Sequence, residues 1–340
     1  MKMALLFEEF LIENAPQKAG LFYRGFNGES DYPVMAEIIN AANQADQEDF
    51  VSKAEDIAHN YKHLQRSDIN KDMVFIELDG HPLGYGRCMW DHEAEDNMYT
   101  YSFFLHAKPE GREDEIALPV VEYFLQRLTD IAASHPVSAK KYFQAWGSNH
   151  QEWWQEILTG LGFKPVRYGY GMVRPCSLPV EITPLPEGIE VRPVEEAHMR
   201  KIFDASAEAF RDHWGYVEPT ETDYLRWLED PNRDPSIWKV AWAGDEVVGM
   251  VGNFIDKDSN ETFNRKRGYT EDISVRRQWR RQGVARALLT RSIQMFIDMG
   301  MVETYLGVDT ENPNGALQLY TSVGYQQERV GITYRKELQS

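Results

Sequence analysis

Cysteine is nearly absent. The chain of 340 residues has two, Cys88 and Cys176, with no CxxC spacing. That argues against a disulfide framework or a thiolate zinc site and fits a reducing compartment, so a cytoplasmic location is expected. Long apolar runs are absent too. No stretch reaches the roughly 18 residues of a membrane-spanning helix. The leading run, Met3 to Phe7, is cut off by Glu8 and Glu9, too short for a signal peptide. Positive charge is scarce: 36 Lys and Arg face 54 Asp and Glu, a net charge of −18. Nucleic acid and anionic membranes both demand basic surface, so neither is expected as a partner. The phosphate loops GxxxxGK[ST] and GxGxxG are missing, so neither a P-loop nor a dinucleotide fold is supported. His59 and His63 are four apart, but Asn60 replaces the glutamate of HExxH, and no metal is expected.

What is present points to two cores. A chain of this length exceeds a typical single core. Residues 175–188 read PCSLPVEITPLPEG, with four prolines in fourteen residues, which neither a helix nor a central strand accepts. This reads as a linker between a first domain over 1–174 and a second over 189–340. The two sides look alike. MVFIELDGHPLGYG (73–86) resembles WKVAWAGDEVVGM (238–250), each two strands around a tight Asp/Gly turn. LGFKPVRYGYGMVR (161–174) resembles VGYQQERVGITYRK (323–336), each a glycine closing a helix, then two strand-like runs. Similarity in the same order at nearly constant offset predicts a duplication.

In the second half the pattern predicts strands at 190–193, 237–243, 246–254, 268–275 and 303–308. Helices are expected near 195–211, 221–229, 283–299 and 314–322, with strand-like runs to 337. The long helix is the clearest: Val284, Ala287, Leu288, Ile293, Phe296 and Ile297 recur at helical spacing, and Gly300 follows. This order predicts an α/β fold, a sheet flanked by helices.

Against the acidic background, VRRQWRRQGVARALL (275–289) holds five arginines, and no acid appears from Ser274 to Phe296. A strand, an arginine-rich turn and Gly283 opening a helix make an anion site: the helix start offers unpaired N–H groups and partial positive charge, and glycine admits a bulky anion. Arginines add long-range attraction and possible direct phosphate contacts. A cofactor bearing several phosphates is therefore expected.

Arg280-Arg281-Gln282-Gly283-Val284-Ala285 resembles the (Arg/Gln)-x-x-Gly-x-(Gly/Ala) signature of the GNAT acyltransferases, and ENPNGALQLYTSVGY (311–325) resembles that family's second signature. The resemblance covers 188–340 and extends more faintly over 20–174. It implies two tandem GNAT-like domains, each a mixed, mostly antiparallel sheet flanked by helices. It also implies acetyl-CoA as co-substrate, with the pyrophosphate on the amides of Arg281, Gln282, Gly283, Val284, Ala285 and Arg286. The pantetheine arm would lie along Ile273, Ser274 and Val275, and Asn312 or Asn314 would touch the cofactor. Tyr320 falls on the family's Leu-Tyr tyrosine and would protonate the leaving thiolate. Glu271 would accept the amine proton. Asp272 is its rival, but strand alternation sends Glu271, Ile273 and Val275 to one face. His213, Trp214 and Tyr216, around a glycine after the first helix, stand where the acceptor binds or where an ordinary loop packs.

The first half departs from the family. Aligned through its strand, Glu110 to Glu115, EGREDE, stands opposite Arg280 to Ala285, and Leu158 opposite Tyr320. Acids repel phosphate and leucine donates no proton, so the first domain is expected to keep the fold and lose the cofactor. The layout resembles that of the mycothiol synthases, tandem GNAT proteins with one active half. Asp91-His92-Glu93 with Glu95 and Asp96 reads as a solvated hairpin tip, and one of Trp153-Trp154 as core. The leading expectation is an acetyl-CoA-dependent N-acetyltransferase, active in the second domain by direct attack of a small-molecule or protein amine, as a monomer or homodimer. The other class is a non-catalytic acyl-CoA sensor, in which Tyr320 has no task.

Overall fold

The computed structural model describes Ile12, residues 14–93 and residues 96–338. The leading MKMALLFEEF and Glu95 of the hairpin tip lie outside the described residues. The chain forms two compact units. The first is Met1–Val166 with Ile332–Ser340, and the second is Arg167–Gly331. The division falls inside two strands rather than in the proline-rich stretch 175–188, which lies within the second unit.

In the first unit, strand β1 (Leu21–Arg24) precedes helices α1 (Asp31–Ala45) and α2 (Ala54–Lys62). Strands β2 (Met73–Leu78), β3 (His81–Glu93) and β4 (Met98–Ala107) follow, then α3 (Asp114–Ala133), β5 (Lys140–Ser148) and α4 (Glu152–Gly160). Strand β6 (Lys164–Pro175) carries the chain into the second unit. There β7 (Glu190–Arg192), α5 (Met199–Phe210), α6 (Glu221–Leu228), β8 (Lys239–Ala243) and β9 (Glu246–Phe254) come first. Then come α7 (Lys257–Thr262), β10 (Arg267–Val275), α8 (Val284–Asp298), β11 (Glu303–Asp309), α9 (Ala316–Ser322) and β12 (Gln326–Glu337), whose last residues return to the first unit.

Each unit repeats one plan. In the first the order is β1-β2-β3-β4-β5, with the returning end of β12 beside β5; in the second it is β6-β11-β10-β9-β8-β7. One parallel pair interrupts each mostly antiparallel sheet, β4 with β5 and β10 with β11. The similarity of the two hairpins has a local cause. Leu78 pairs with His81 and Ala243 with Glu246, so each loop is two residues long. Asp79 and Gly80 take φ of 52° and 79°, and Gly244 takes 57°, as such short loops demand. The expected two strand-like runs after Gly162 and after Gly324 are instead one long strand in each case, β6 and β12.

Helix α8 buries Val284, Ala287, Leu288, Leu289, Ile293 and Phe296 against the second sheet. It comes close because β10 offers Gly268, where a Cβ would stand 2.4 Å from the Phe296 ring. A side chain there would push the helix off the strand. The start of α8 is thereby fixed against the end of β10, which sets the site described next.

Candidate functional site

The parallel strands β10 and β11 pair only from Arg267–Glu303 to Tyr269–Tyr305 and then diverge. Beyond Tyr269, β10 stays bonded to β9 alone. Its other edge, Thr270 to Val275, faces a cavity of about 590 Å³. The first turn of α8, Gly307–Asp309 of β11, the start of α9 and the end of α5 complete its walls. Of the residues singled out in the sequence, Tyr320, Glu271, Ile273, Ser274, Val275, Arg280, Arg281, Gly283, Val284, Ala285, Arg286, Asn312, Asn314 and His213 line it. Gln282, Trp214 and Tyr216 are not among its walls. The Trp214 ring lies under the Arg167 guanidinium at 5.5 Å, and the Tyr216 hydroxyl donates to Glu218.

The turn into α8 is built for an anion. Arg281 and Gly283 take φ of 61° and 88°, and no side chain caps the helix. The first intrahelical bond runs from the Ala287 amide to the Gly283 carbonyl. The amides of Val284, Ala285 and Arg286 therefore point outward with no partner among the described residues. Uncapped N–H groups and the aligned peptide dipoles favour negative charge there.

The arginines are a correction to the sequence reading. The stretch has no acid of its own, yet three of its arginines are neutralised from elsewhere in the second unit. Arg276 pairs with Glu208 at 2.7 Å and with Glu246. Arg277 and Arg280 share Asp212, whose carboxyl they hold below the usual range. Arg280 further donates to the carbonyls of Val275 (2.9 Å) and Ala209 (2.8 Å) and to the Asn314 side chain (3.2 Å). Its guanidinium braces the turn and is not open to phosphate. Arg286 donates to the Ser322 hydroxyl and Arg291 to the Thr183 carbonyl. Arg281, on the cavity wall, makes no such side-chain bond among the described residues. The positive potential thus rests mainly on the helix start.

The carboxylates also depart from the alternation argument. The register of β10 shifts between Glu271 and Ser274, and Asp272 takes a left-handed φ of 47°. Glu271 and Asp272 lie at this bulge, and both belong to the cavity wall. Both residues are exposed to solvent, although much protein surrounds their carboxyl groups. Burial, then the neighbouring Asp272 and Asp230, push the Glu271 carboxyl up to about 7. Burial raises Asp272 as well. Tyr320 is buried, its hydroxyl has no hydrogen-bond partner among the described residues, and burial holds it neutral far above its ordinary range. His213 packs edge-on against Phe210 with its Nε2 3.5 Å from the Asn312 amide, and burial lowers it. Asn312 caps the next turn by accepting from the Asn314 amide at 2.8 Å. Phe210 and Asp309 were not foreseen; nothing local marks them, since the fold brings them in from α5 and β11.

Residues 199–325, which hold every wall of this cavity, match the acetyltransferase (GNAT) family. The match is confined to this segment of the second unit. Over 181 residues, 53% of its length, the chain is 27% identical to a mycothiol acetyltransferase of Thermobispora bispora. Over 95 residues, 28% of this chain, it is 36% identical to N-acetyltransferase 8F1 of Rattus norvegicus. The matches span 61% and 41% of those proteins' own lengths. Among solved structures, a GCN5-related N-acetyltransferase from Sphaerobacter thermophilus superposes with a TM-score of 0.69 at 24% identity, covering 95% of this chain and 97% of that one. A tandem GNAT protein from the clavulanic acid biosynthesis pathway gives 0.63 at 10% identity, covering 94% and 99%. These likenesses establish a tandem GNAT fold over both units.

With the second unit as GNAT reference, the first can be aligned by its bonds. Arg112 donates to Ala107 O (3.0 Å) and Ala42 O (3.4 Å) and pairs with Asp46 (2.7 Å), matching Arg280 with Val275, Ala209 and Asp212. Arg112, not Glu110, is therefore the counterpart of Arg280. The alignment moves by two residues, and REDEIA (112–117) stands against RRQGVA. Glu113, Asp114 and Glu115 replace Arg281, Gln282 and Gly283. Without glycine α3 starts two residues earlier, and its acids satisfy the helix dipole that α8 leaves open. At the other GNAT signature, the Phe163 amide bonds Leu158 O as the Tyr325 amide bonds Tyr320 O. Counting back sets Trp153 and Trp154 against Gly315 and Ala316 of the cavity wall. Trp154 is buried and Trp153 lies under the Arg112 guanidinium at 4.9 Å. Two indoles stand where the GNAT cavity has two small residues.

The Arg–Asp brace survives in a unit whose helix start is acidic, so its role is architectural. Arg112→Ala would strand Asp46, 3% exposed, without its ion partner. The expected loss is roughly 3 kcal/mol in urea unfolding. A loss under about 1 kcal/mol, the scale of a surface pair, would contradict this role.

Proposed function

We propose that the chain is an acetyl-CoA-dependent N-acetyltransferase whose active site is the second unit's cavity. The carrying observation is one space that joins an uncapped, glycine-led helix start, an unpaired strand edge with the acid Glu271 on it, and a buried tyrosine. The amides of Val284 to Arg286 would hold the pyrophosphate, and the free edge of Ile273–Val275 the pantetheine arm. The thioester supplies the acetyl group. Glu271 takes a proton from the incoming ammonium, directly or through water, and leaves the nitrogen lone pair free to attack the carbonyl carbon. An amide of the β10 edge donates to the oxygen that gains charge. The carbon–sulfur bond breaks, and Tyr320 gives its proton to the departing thiolate. Names of the relatives, mycothiol acetyltransferase and N-acetyltransferase, support acetyl transfer to an amine; acceptor residues would include His213.

Since Glu271 must be ionised to act, kcat/KM should rise with pH through about 7. Glu271→Gln should flatten that limb and lower the plateau by roughly a hundredfold. The linkage runs the other way for stability. A carboxyl raised by folding contributes stability while protonated and loses it as pH climbs through its folded value. Glu271→Gln should therefore unfold at higher urea than wild type above about pH 7. A pH–rate profile that keeps its limb in the variant would assign the base elsewhere.

A further inference from the structure

Glycine inside a strand weakens it, and marks a bulge, a close approach of protein, or a ligand. In the second sheet protein explains several of them. A Cβ at Gly268 would strike the Phe296 ring, one at Gly249 the Ser274 carbonyl, and one at Gly171 the Tyr305 hydroxyl. Gly307, in the middle of β11, is different. It is exposed, it belongs to the cavity wall, and a Cβ there would meet nothing within 4 Å. Its φ is not left-handed, and β11 pairs with β6 from Glu303 to Asp309 without a register shift. Among the described residues no atom, and no bend of the chain, asks for glycine here.

Gly307 shares a face with the proposed base. Tyr269 and Tyr305 pair and so lie on one face, and Glu271 and Gly307, each two residues on, follow them. The register shift of β10 comes only after Glu271. Leu306 and Val308 alternate with Gly307 and sit in one buried cluster with Leu289 and Ile293 of α8 and with Tyr320. The side of Gly307 that would carry a Cβ therefore faces away from α8, whose start would hold the pyrophosphate. Its neighbours on that side are Tyr305 and Asp309, roughly 13 Å apart along the strand. Both are held. Tyr305 packs edge-on against Tyr269, with the Arg267 guanidinium 5.0 Å from its ring, and Asp309 accepts from Arg167 through both oxygens at 2.9 and 2.7 Å. Between them lies a notch with a fixed wall at either end and no side chain on its floor. We infer, resting on the acetyltransferase reading above, that Gly307 selects the acceptor: the notch takes bulk at the carbon that bears the reacting nitrogen, so the preferred class is a primary amine on a ring or branched carbon and not one at the end of an unbranched chain. The nitrogen must reach Glu271 across the gap between β10 and β11, which brings the carbon behind it over Gly307. A ring there gains contacts with the floor and with Tyr305, whereas a slim chain leaves the notch to water.

The test measures kcat/KM on the full chain with acetyl-CoA for cyclohexylamine and for n-hexylamine, which have the same carbon number. Wild type should favour cyclohexylamine at least about tenfold. Gly307→Val should bring the ratio to one or below by slowing cyclohexylamine tenfold to roughly a hundredfold, as overfilling a packed space does, with n-hexylamine changed by less than about threefold. Acetyl-CoA affinity, read by calorimetry, should not change. The variant should unfold at the same or higher urea, since valine suits a strand better than glycine and its Cβ meets no atom. A wild-type ratio of one or below, with amines turned over, overturns the inference and leaves acetyl transfer intact; this arm needs no variant to fold. A preference that survives in Gly307→Val also overturns it, as does an equal loss for both amines or a fall in unfolding midpoint, which would make the glycine architectural. If acetyl-CoA binds and no amine is acetylated, the acetyltransferase reading falls and takes this one with it.

Discussion

Gly283→Glu should abolish acetyl-CoA binding, read by calorimetric titration as a loss of at least a hundredfold in affinity. The substitution imports the residue that stands at the counterpart position, Glu115. Two costs add. A φ of 88° suits glycine, and an L residue there costs roughly 1–2 kcal/mol or forces the turn to reshape. A negative side chain then sits at the start of α8, where three amides wait for an anion, and opposes the ligand's charge at short range with little intervening water. Space is not the issue, since an added Cβ at Gly283 meets nothing within 4 Å. Gly283→Ala separates the two costs, because it carries the strain and not the charge, and should weaken binding by about tenfold, as one strained φ implies. Retention of wild-type affinity in the glutamate variant would move the cofactor away from this turn. One binding site per chain is expected, because the first unit's helix start already carries Glu113, Asp114 and Glu115. A second site would reveal a ligand for that unit which its acids do not suggest.

Tyr320→Phe should lower kcat by about a hundredfold or more while acetyl-CoA affinity stays near wild type. The ring is buried against the second unit's core and packs on Tyr325, so phenylalanine keeps the packing and removes only the hydroxyl. That hydroxyl opens on the cavity with no hydrogen-bond partner among the described residues, so its loss orphans no neighbour. Burial holds it protonated across the working range, which suits a proton donor. A purely packing tyrosine would show a change in unfolding midpoint and no change in kcat. If wild type binds acetyl-CoA and acetylates nothing in a broad amine panel, the chain is better described as an acyl-CoA sensor.

Several parts of this were legible before any coordinates. The hairpin turns, the helix that opens on Gly283 and the two signatures are local patterns, each set by a few neighbouring residues. The ion partners of the arginines were not, because Asp212 lies 68 residues from Arg280 and only the folded sheet brings them together. An excess of charge read over fifteen residues was therefore largely answered by Glu208 of α5, Asp212 just beyond it and Glu246 of β9. The Glu271–Asp272 pair escaped for another reason: alternation assumes a regular strand, and a bulge leaves no composition signal when its odd residue is an aspartate. The first unit's motif was placed two residues early because strand counting carries no landmark, while the Arg112 brace does. Small residues at 315 and 316 against two tryptophans explain what the helix starts alone do not. One unit has room, and the other has filled it.

The division of β6 and β12 between units bears on how the protein comes off the ribosome. The first unit's Glu93 is 6% exposed and relies on Arg335 at 2.9 Å, which also donates to Gln144 on β5. Both partners are translated long before Arg335, after the whole second unit has emerged. Until then the nascent half holds an unmatched acid and a bare strand edge, the condition that invites chaperones or mispairing with another copy. The first unit is thus the last to be completed, and its closing strand reaches it only after the whole second unit has been made.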